Sequence, residues 1–158
     1  MSNILYLAQH QQNYSGSYQF TITHEEDTNF RKYLMRKLAA LIPPVTEKSP
    51  ADAQPLDISL DDIEGDVVAG LSAFTARGTL HIDLLWVDDP MCGNGIGHRL
   101  VQMAEEQARE RGCCKARLSV TGGVALFVGM GYELSGTVQQ VDFAAGNTRA
   151  VYWLEKAL

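Results

Sequence analysis

Cysteine is scarce in this sequence, and its placement argues against two common kinds of structural site. The chain has three cysteines, Cys92, Cys113 and Cys114, two of which are adjacent. An odd count with an adjacent pair does not form a disulfide framework. The sequence has no Cys-x-x-Cys motif and no Cys/His spacing typical of a zinc site. We therefore expect reduced thiols and no bound metal.

Long apolar runs are also missing. The longest, such as Leu84–Val87 and Val124–Val128, are far shorter than the roughly 20 residues that a membrane-spanning helix needs. Met1–Gln12 has neither a basic start nor an adequate apolar run, so no signal peptide is expected. These absences predict a cytoplasmic protein with no membrane partner.

Positive charge is in deficit. Lys and Arg total 13 against 19 Asp and Glu, which gives a formal net charge of −6 at pH 7. Because nucleic acids bind to basic surfaces, we do not expect a nucleic acid as partner. The acidic balance is compatible with a cationic small molecule as ligand.

The composition is that of an ordinary globular domain. The 158 residues are 46% apolar and 20% charged, which is sufficient for a buried core. We predict a single domain over residues 1–158, in which residues 1–16 form a loose arm or a short extra strand.

Periodicity predicts a mixture of strands and helices. Alternating apolar residues predict strands near residues 18–22, 56–60, 67–74, 79–87, 115–120, 132–141 and 148–154. Helical spacing predicts one helix through Phe30 and Leu41 that ends at Pro43-Pro44, and further helices near 97–111 and 124–130. The expected fold is an α/β sandwich around a mixed, mostly antiparallel sheet.

The most informative segment is residues 80–97, LHIDLLWVDDPMCGNGIG, where an apolar strand leads into a glycine-rich loop and then a helix. Gly93, Gly95 and Gly97 occupy alternate positions. Glycine permits backbone conformations that turn several N–H groups toward one point, and the helix N-terminus favours an anion there. The segment therefore predicts a binding site for a phosphate or pyrophosphate, and so a nucleotide-like cofactor.

The spacing of this loop differs from two familiar phosphate-binding motifs. A Walker loop ends in Gly-Lys-Ser/Thr, whereas Gly97 is followed by His98 and Arg99. A dinucleotide fingerprint has its third glycine at the position of His98 and lies in an early βαβ unit. A nucleotide binder of another class stays open as a minor interpretation.

The wider segment resembles the central motif of the GNAT N-acetyltransferases. LHIDLLWVDDPMCGNGIGHRLVQMAEEQARERGCCKARL has that motif's order of apolar strand, glycine loop, helix and buried strand. GYELSGTVQQVDFAAGNTRAVYWLEKAL resembles the end of the domain in a bacterial small-molecule branch of the family. The resemblance covers residues 56–158. It implies the GNAT fold, with a mixed sheet of six to seven strands and about three to four helices.

The resemblance implies acetyl-CoA as cosubstrate and indicates where it binds. Backbone N–H groups from Asn94 to His98 would hold the pyrophosphate. In the family, the strand before the loop splays from its parallel neighbour and offers backbone groups to the acetyl carbonyl and to pantetheine. The residues assigned to acetyl-CoA in this way are Leu85, Val87, Cys92, Gly93, Asn94, Gly95, Ile96, Gly97 and His98.

Cys92 is a departure from the family pattern, which has Arg or Gln at the start of the loop. It is either a small residue in place of a lost cation or a thiol whose pKa is lowered by the helix end. The departure predicts a weakened phosphate site.

Asp83 and His81 are the candidates for handling the acceptor amine. Asp83 could take a proton from the ammonium group through a water or hold the cation, and His81 could share this task. In an unbroken strand, one face carries His81, Asp83, Leu85 and Val87, and the other carries Ile82, Leu84 and Trp86.

The leaving thiolate has no obvious acid. Phe127 stands where many relatives of this family have a tyrosine that acts as general acid. Tyr132 is the nearby phenol that could substitute for it, or it packs within the core. A missing acid is expected to lower the rate without abolishing it.

These observations predict an N-acetyltransferase (acyltransferase) that moves the acetyl group of acetyl-CoA to the amine of a small molecule. The alternative is a GNAT-fold protein that binds acyl-CoA but has lost efficient catalysis, which Cys92 and Phe127 favour. The apolar final strand, Val151–Leu154, could also pair across a homodimer.

Overall fold

The computed structural model describes residues 2–6, 18–39, 49–93, 95–142 and 146–158. Its strands are β1 (Ser2–Tyr6), β2 (Gln19–Thr23), β3 (Gln54–Asp61), β4 (Val67–Ala76), β5 (Thr79–Val87), β6 (Lys115–Val120), β7 (Glu133–Asp142) and β8 (Asn147–Ala157). Its helices are α1 (Thr28–Ala39), α2 (Ile96–Glu110) and α3 (Val124–Gly129), with a 3₁₀ turn at Asp89–Met91. The helix end predicted at Pro43-Pro44 lies outside the described residues.

The strands form one sheet in the order β1-β2-β3-β4-β5-β6-β8-β7. All neighbours are antiparallel except β5 and β6, which are parallel. The predicted α/β fold with a mixed, mostly antiparallel sheet is therefore confirmed. The sheet has eight strands because Ser2–Tyr6 pairs with β2, which agrees with the extra strand that was one of the two expectations for the N-terminal segment.

Helices cover both faces of the sheet. On one face, Leu100, Met103 and Ala104 of α2 pack in the main core with the apolar residues of β3. On the other face, Leu34 of α1 packs against Leu84 and Trp86 of β5 in a smaller cluster. Alternation along the strands supplies apolar residues to each helix.

A β-bulge at Asp83 reverses the alternation of β5. Ser72 of β4 is paired with Leu84 and Ala73 with Ile82, so Asp83 is the extra residue. Ile82 therefore packs in the α2 core, whereas Leu84 packs against α1. The unbroken alternation expected from the sequence is wrong, since it placed these two residues on one face.

The two sides of β8 are both occupied, by β6 and by β7. Pairing of this strand across a homodimer, as expected from its apolar character, is therefore blocked by its own sheet. The outer strands of the sheet are β1 and β7. No helix in the described part of the chain is both long enough and apolar enough to span a bilayer.

Candidate functional site

The parallel strands β5 and β6 diverge after a short ladder. Ile82 with Leu118 is the last ladder pair among the described residues, although both strands continue beyond it. A cavity of about 430 Å³ opens at this point, lined by residues that include Asp83, Leu85 and Phe127. We call it the cleft cavity. The end of a parallel strand pair is where open α/β sheets commonly bind ligands.

The loop after β5 adopts the left-handed backbone conformation at two glycines. Gly93 has a φ of 82° and Gly95 a φ of 75°, values that residues with a Cβ rarely adopt. A Cβ at either position would meet nothing within 4 Å, so the requirement for glycine comes from backbone conformation and not from crowding. Asn94, assigned to acetyl-CoA from the sequence, lies outside the described residues.

Helix α2 begins beside the end of β5. Its N-cap is Gly95, which provides no side-chain cap, so the first N–H groups of the helix are available to an anion. Ile96 is buried and anchors this turn in the core. A Cβ built on Gly97 would lie 3.8 Å from Cγ2 of Val87, the last residue of β5. The glycine loop and the cleft cavity therefore lie at the same end of β5.

Two other residues assigned to this region have different surroundings. The exposed Cys92 lies with its Sγ 3.7 Å from the carbonyl oxygen of Val87, to which the thiol donates. His98 is exposed and lines a separate cavity of about 310 Å³ together with Arg109 and Lys156. Cys92 brings no positive charge to the loop, and only the backbone of His98 belongs to the helix N-terminus.

A second cavity, of about 400 Å³, is strongly acidic. Four carboxylates line it, those of Glu26, Asp27, Asp57 and Asp83, together with the guanidinium of Arg31. We call it the acidic cavity. Because Asp83 lines this cavity and also the cleft cavity, the two share that residue as a common wall.

The carboxylate of Asp83 forms an ion pair with Arg31 of α1, and its side chain is only 4% exposed. The bulge directs Asp83 toward α1, so this pair links the helix to the strand at the cleft. His81 stacks on Phe74 with ring centroids 4.7 Å apart, and Phe74 lines the acidic cavity. His81 itself lines neither the acidic cavity nor the cleft cavity.

Asp57 of β3 is the functional candidate that sequence reasoning missed. It is buried, and its Oδ1 accepts a hydrogen bond of 2.7 Å from Oγ of Ser72. Burial raises the pKa of Asp57 from 3.8 to about 6, against the opposing effect of the Ser72 hydrogen bond. Asp57 faces α1, whereas its two neighbours on β3, Leu56 and Ile58, are core residues. The signal available in the sequence was this carboxylate in the middle of an apolar strand.

Tyr132 lies in the core and not at the cleft. Its side chain is 1% exposed, and its hydroxyl donates to Oε2 of Glu105 at 3.1 Å. Burial and the neighbouring Glu105 carboxylate raise the pKa of Tyr132 far above its ordinary value. Glu105 also accepts from Nζ of Lys156 at 3.0 Å. The structure therefore does not bring Tyr132 together with Asp83, and Phe127 is the aromatic residue that faces the cleft cavity.

Among the residues that the structure describes, one group of carboxylates has the spacing of metal ligands. Oxygens of Asp62, Glu64 and Asp66 lie within 4.8 Å of one another in the turn between β3 and β4. Oδ1 of Asp62 accepts the backbone N–H groups of Glu64 and Asp66, which is the hydrogen bonding of a turn. This group lines neither the cleft cavity nor the acidic cavity.

Known proteins with similar sequences are acetyltransferases. The family model described as Acetyltransferase (GNAT) family matches residues 12–132. Acetyltransferase Atu2258 of Agrobacterium fabrum is 35% identical over 106 residues, which cover 67% of this chain and 76% of that protein. Blasticidin-S acetyltransferase of Streptomyces morookaense is 31% identical over 118 residues, covering 65% of this chain and 85% of that protein.

Solved structures show the same relationship. A crystal structure of a protein assigned as an acetyltransferase, from Agrobacterium tumefaciens, is 30% identical and superposes with a TM-score of 0.58. The superposition covers 86% of this chain and 96% of that one.

Proposed function

Because this chain belongs to the GNAT acetyltransferase family, we propose that it is an N-acetyltransferase that transfers the acetyl group of acetyl-CoA to the amine of a small molecule. The observation that carries the proposal is the divergence of β5 from β6 beside the glycine loop. This divergence opens a cleft at the end of β5, next to the N-terminus of α2. An elongated thioester with a charged end requires such a combination.

The residues on the donor side fit acetyl-CoA. The N–H groups of Ile96, Gly97 and His98 at the start of α2 would bind the pyrophosphate oxygens. Beyond Ile82 the edge of β5 is not paired by β6 among the described residues, so backbone groups near Leu85 would hold pantetheine and polarise the acetyl carbonyl.

The acceptor side fits a cationic small molecule. The acidic cavity adjoins the cleft cavity through Asp83 and carries more carboxylates than cations. An amine that enters it as an ammonium ion would be attracted and then placed beside the donor carbonyl. The relative from Streptomyces morookaense is named for a small-molecule acceptor, blasticidin S, which supports a small acceptor here.

The alternative, an acyl-CoA-binding protein with little catalysis, rests on one specific observation. Phe127 faces the cleft cavity and has no proton to donate, while the Tyr132 hydroxyl is bound to Glu105. A thiol has a pKa of about 8.5, so its thiolate can leave without an acid. We therefore expect a reduced rate and not a loss of activity.

The test is a screen for thiol release from acetyl-CoA with a panel of small amines, combined with calorimetric measurement of acetyl-CoA binding. We expect acetyl-CoA to bind and thiol release to depend on the amine. Acetyl-CoA binding without thiol release for every amine would overturn the N-acetyltransferase and leave the acyl-CoA-binding protein. Absence of binding would overturn both.

A further inference from the structure

Three polar side chains form a row across the sheet toward the cleft. In the strand register, Asp57 of β3 is opposite Ser72 of β4, and Ser72 is opposite Leu84 of β5, next to the bulged Asp83. Neighbouring strands lie about 4.8 Å apart, so the row spans about 10 Å. It leads from the interior of the acidic cavity to the wall that this cavity shares with the cleft cavity.

The carboxylates at the two ends of the row have different partners. Asp83 is held in an ion pair by Arg31, whose other terminal nitrogen lies 3.4 Å from Oγ of Ser72. The Asp83 carboxylate is thus already bound to a cation. The partner of Asp57 on β4 is a neutral hydroxyl, which donates to it and can pass on a proton.

We propose that Ser72 and Asp57 form the proton-accepting pair of the acceptor site, and that Asp83, held by Arg31, is a positioning residue. The inference rests on the proposed function, since it assigns roles in the same reaction. It also changes the assignment made from the sequence, in which Asp83 was the candidate base.

In this reaction the acceptor nitrogen loses two protons, and the acetyl group moves from sulfur to nitrogen. The ammonium group of the acceptor gives one proton to Oγ of Ser72, whose own proton passes to the Asp57 carboxylate. The nitrogen lone pair then forms the C–N bond with the thioester carbonyl carbon, and the C–S bond breaks with its electron pair on sulfur. The second proton lost by the nitrogen goes to the thiolate through solvent, and Asp57 returns its proton to solvent.

The acidity of Asp57 suits this role. With a pKa of about 6, the group is ionised at neutral pH but is a stronger base than an exposed carboxylate. Asp57 lines the acidic cavity and a neighbouring cavity of about 450 Å³. The charged and titratable groups that line these two cavities with it are Glu26, Asp27, Arg31, Tyr33, Asp61 and Asp83. Ser72 is 3% exposed, so the pair is largely shielded from bulk water.

The test compares Asp57→Asn with Asp61→Asn, using the best amine from the screen. Asp61 lies on the same strand and does not line the acidic cavity. We expect Asp57→Asn to lower kcat/KM about 100-fold or more and to abolish the rise of kcat/KM with pH near 6. Acetyl-CoA affinity should be unchanged, and Asp61→Asn should keep the wild-type pH profile.

Two serine variants separate proton transfer from structure. Ser72→Ala should lower kcat/KM as Asp57→Asn does, and Ser72→Thr, which keeps the hydroxyl, should restore most of it. An Asp57→Asn variant with the wild-type pH profile and rate would overturn this inference while the wild type still acetylates the amine. Failure of the wild type on every amine would instead overturn the proposed function, and this inference with it.

Discussion

The buried carboxylate of Asp57 destabilises the folded protein wherever it is ionised. Its pKa rises from 3.8 to about 6 on folding because burial disfavours the charged form. The folded state therefore binds the Asp57 proton more tightly than the unfolded state does. The stabilisation that this tighter proton binding gives the folded state is fully present below pH 3.8 and is lost as the pH rises through about 6.

Replacement of Asp57 by Asn should consequently stabilise the protein at neutral pH. The shift of about two pKa units corresponds to a gain of up to about 3 kcal/mol above pH 7. The measurement is the free energy of unfolding by urea between pH 4 and 8. The curves of wild type and variant should separate with rising pH. Parallel curves would mean that the Asp57 carboxylate is not desolvated in the folded protein.

Gly95, the N-cap of α2, is a position at which a single methyl group should disturb the proposed donor site. At a φ of 75°, alanine is strained, and the N–H groups at the start of α2 should turn away from a bound phosphate. Gly95→Ala should weaken acetyl-CoA binding tenfold or more, about 1.4 kcal/mol, by calorimetry. Gly112→Ala, with a φ of 83° at the far end of α2, is the matched control. Equal affinities in the two variants would exclude the loop as the phosphate site.

Phe127 should limit the rate most at pH values where protonation of the leaving thiolate still helps, because a phenyl ring has no proton to donate. Phe127→Tyr places a hydroxyl at the cleft cavity and should raise turnover, most visibly below the thiol pKa of about 8.5. Phe127→Leu, which stays apolar, should not raise it. A steady-state pH profile of thiol release measures both. An equal gain with leucine would attribute the effect to space in the cavity and not to acid catalysis.

The backbone of the glycine loop could be predicted from the sequence better than the contacts in the acidic cavity. Gly93 and Gly95 were identified because glycine spacing is visible along the chain and its backbone requirement is local. Asp57 and Arg31 were not, since their common place in the acidic cavity depends on strand register and on the position of α1. Tyr132 was close in sequence to the cleft, but the hydroxyl of its side chain reaches Glu105.

Helix α1 lies very close to β4, and this contact sets the position of Arg31. A Cβ on Gly70 would lie 2.8 Å from side-chain carbons of both Leu34 and Phe30. Leu34 is fully buried. The absence of a side chain at Gly70 therefore allows the helix to reach the sheet and its arginine to reach Asp83.

Gly70→Ala should displace α1 and disturb both stability and acceptor handling. Overpacking of this kind costs about 1–3 kcal/mol, and movement of Arg31 should raise KM for the amine more than it affects acetyl-CoA affinity. Thermal unfolding and steady-state kinetics measure the two effects. Gly136→Ala on β7, where a Cβ meets nothing within 4 Å, is the control. Wild-type stability in Gly70→Ala would contradict the close packing.

The bounds of the elements could be predicted where the pattern is strong. The strand predicted at 115–120 matches β6, and the helix predicted near 97–111 differs from α2 by one residue at each end. The bulge in β5 could not be predicted, because LHIDLLWV alternates equally well with or without an extra residue. That one residue decides that Leu84 packs with α1, whereas Ile82 and Leu85 pack with the α2 core.

At the scale of the whole molecule, the order of the strands explains why both cavities meet at one place. Among the described strands, the only parallel pair is β5 with β6, and α2 connects them along the chain. This crossover brings the glycine loop to the strand end where the sheet opens. The acidic cavity lies beside the same strand, so a donor in the cleft cavity and an acceptor in the acidic cavity would both lie next to Asp83.

The charge of the acidic cavity predicts how many positive charges the preferred acceptor carries. After Arg31 neutralises Asp83, three carboxylates remain, those of Glu26, Asp27 and Asp57. A monoamine supplies one positive charge to this cavity, whereas a diamine supplies two and is bound more strongly. High salt should reduce the difference, because Glu26 and Asp27 are exposed.

The measurement that tests the central claim most directly is the rate of acetyl-CoA thiol release with pairs of amines matched in chain length, such as 1-aminobutane and 1,4-diaminobutane. We expect release to depend on the amine and kcat/KM to be at least about tenfold higher for the diamines, a difference of about 1.4 kcal/mol. Equal release with monoamines and diamines, or release that is independent of any amine, would contradict this expectation.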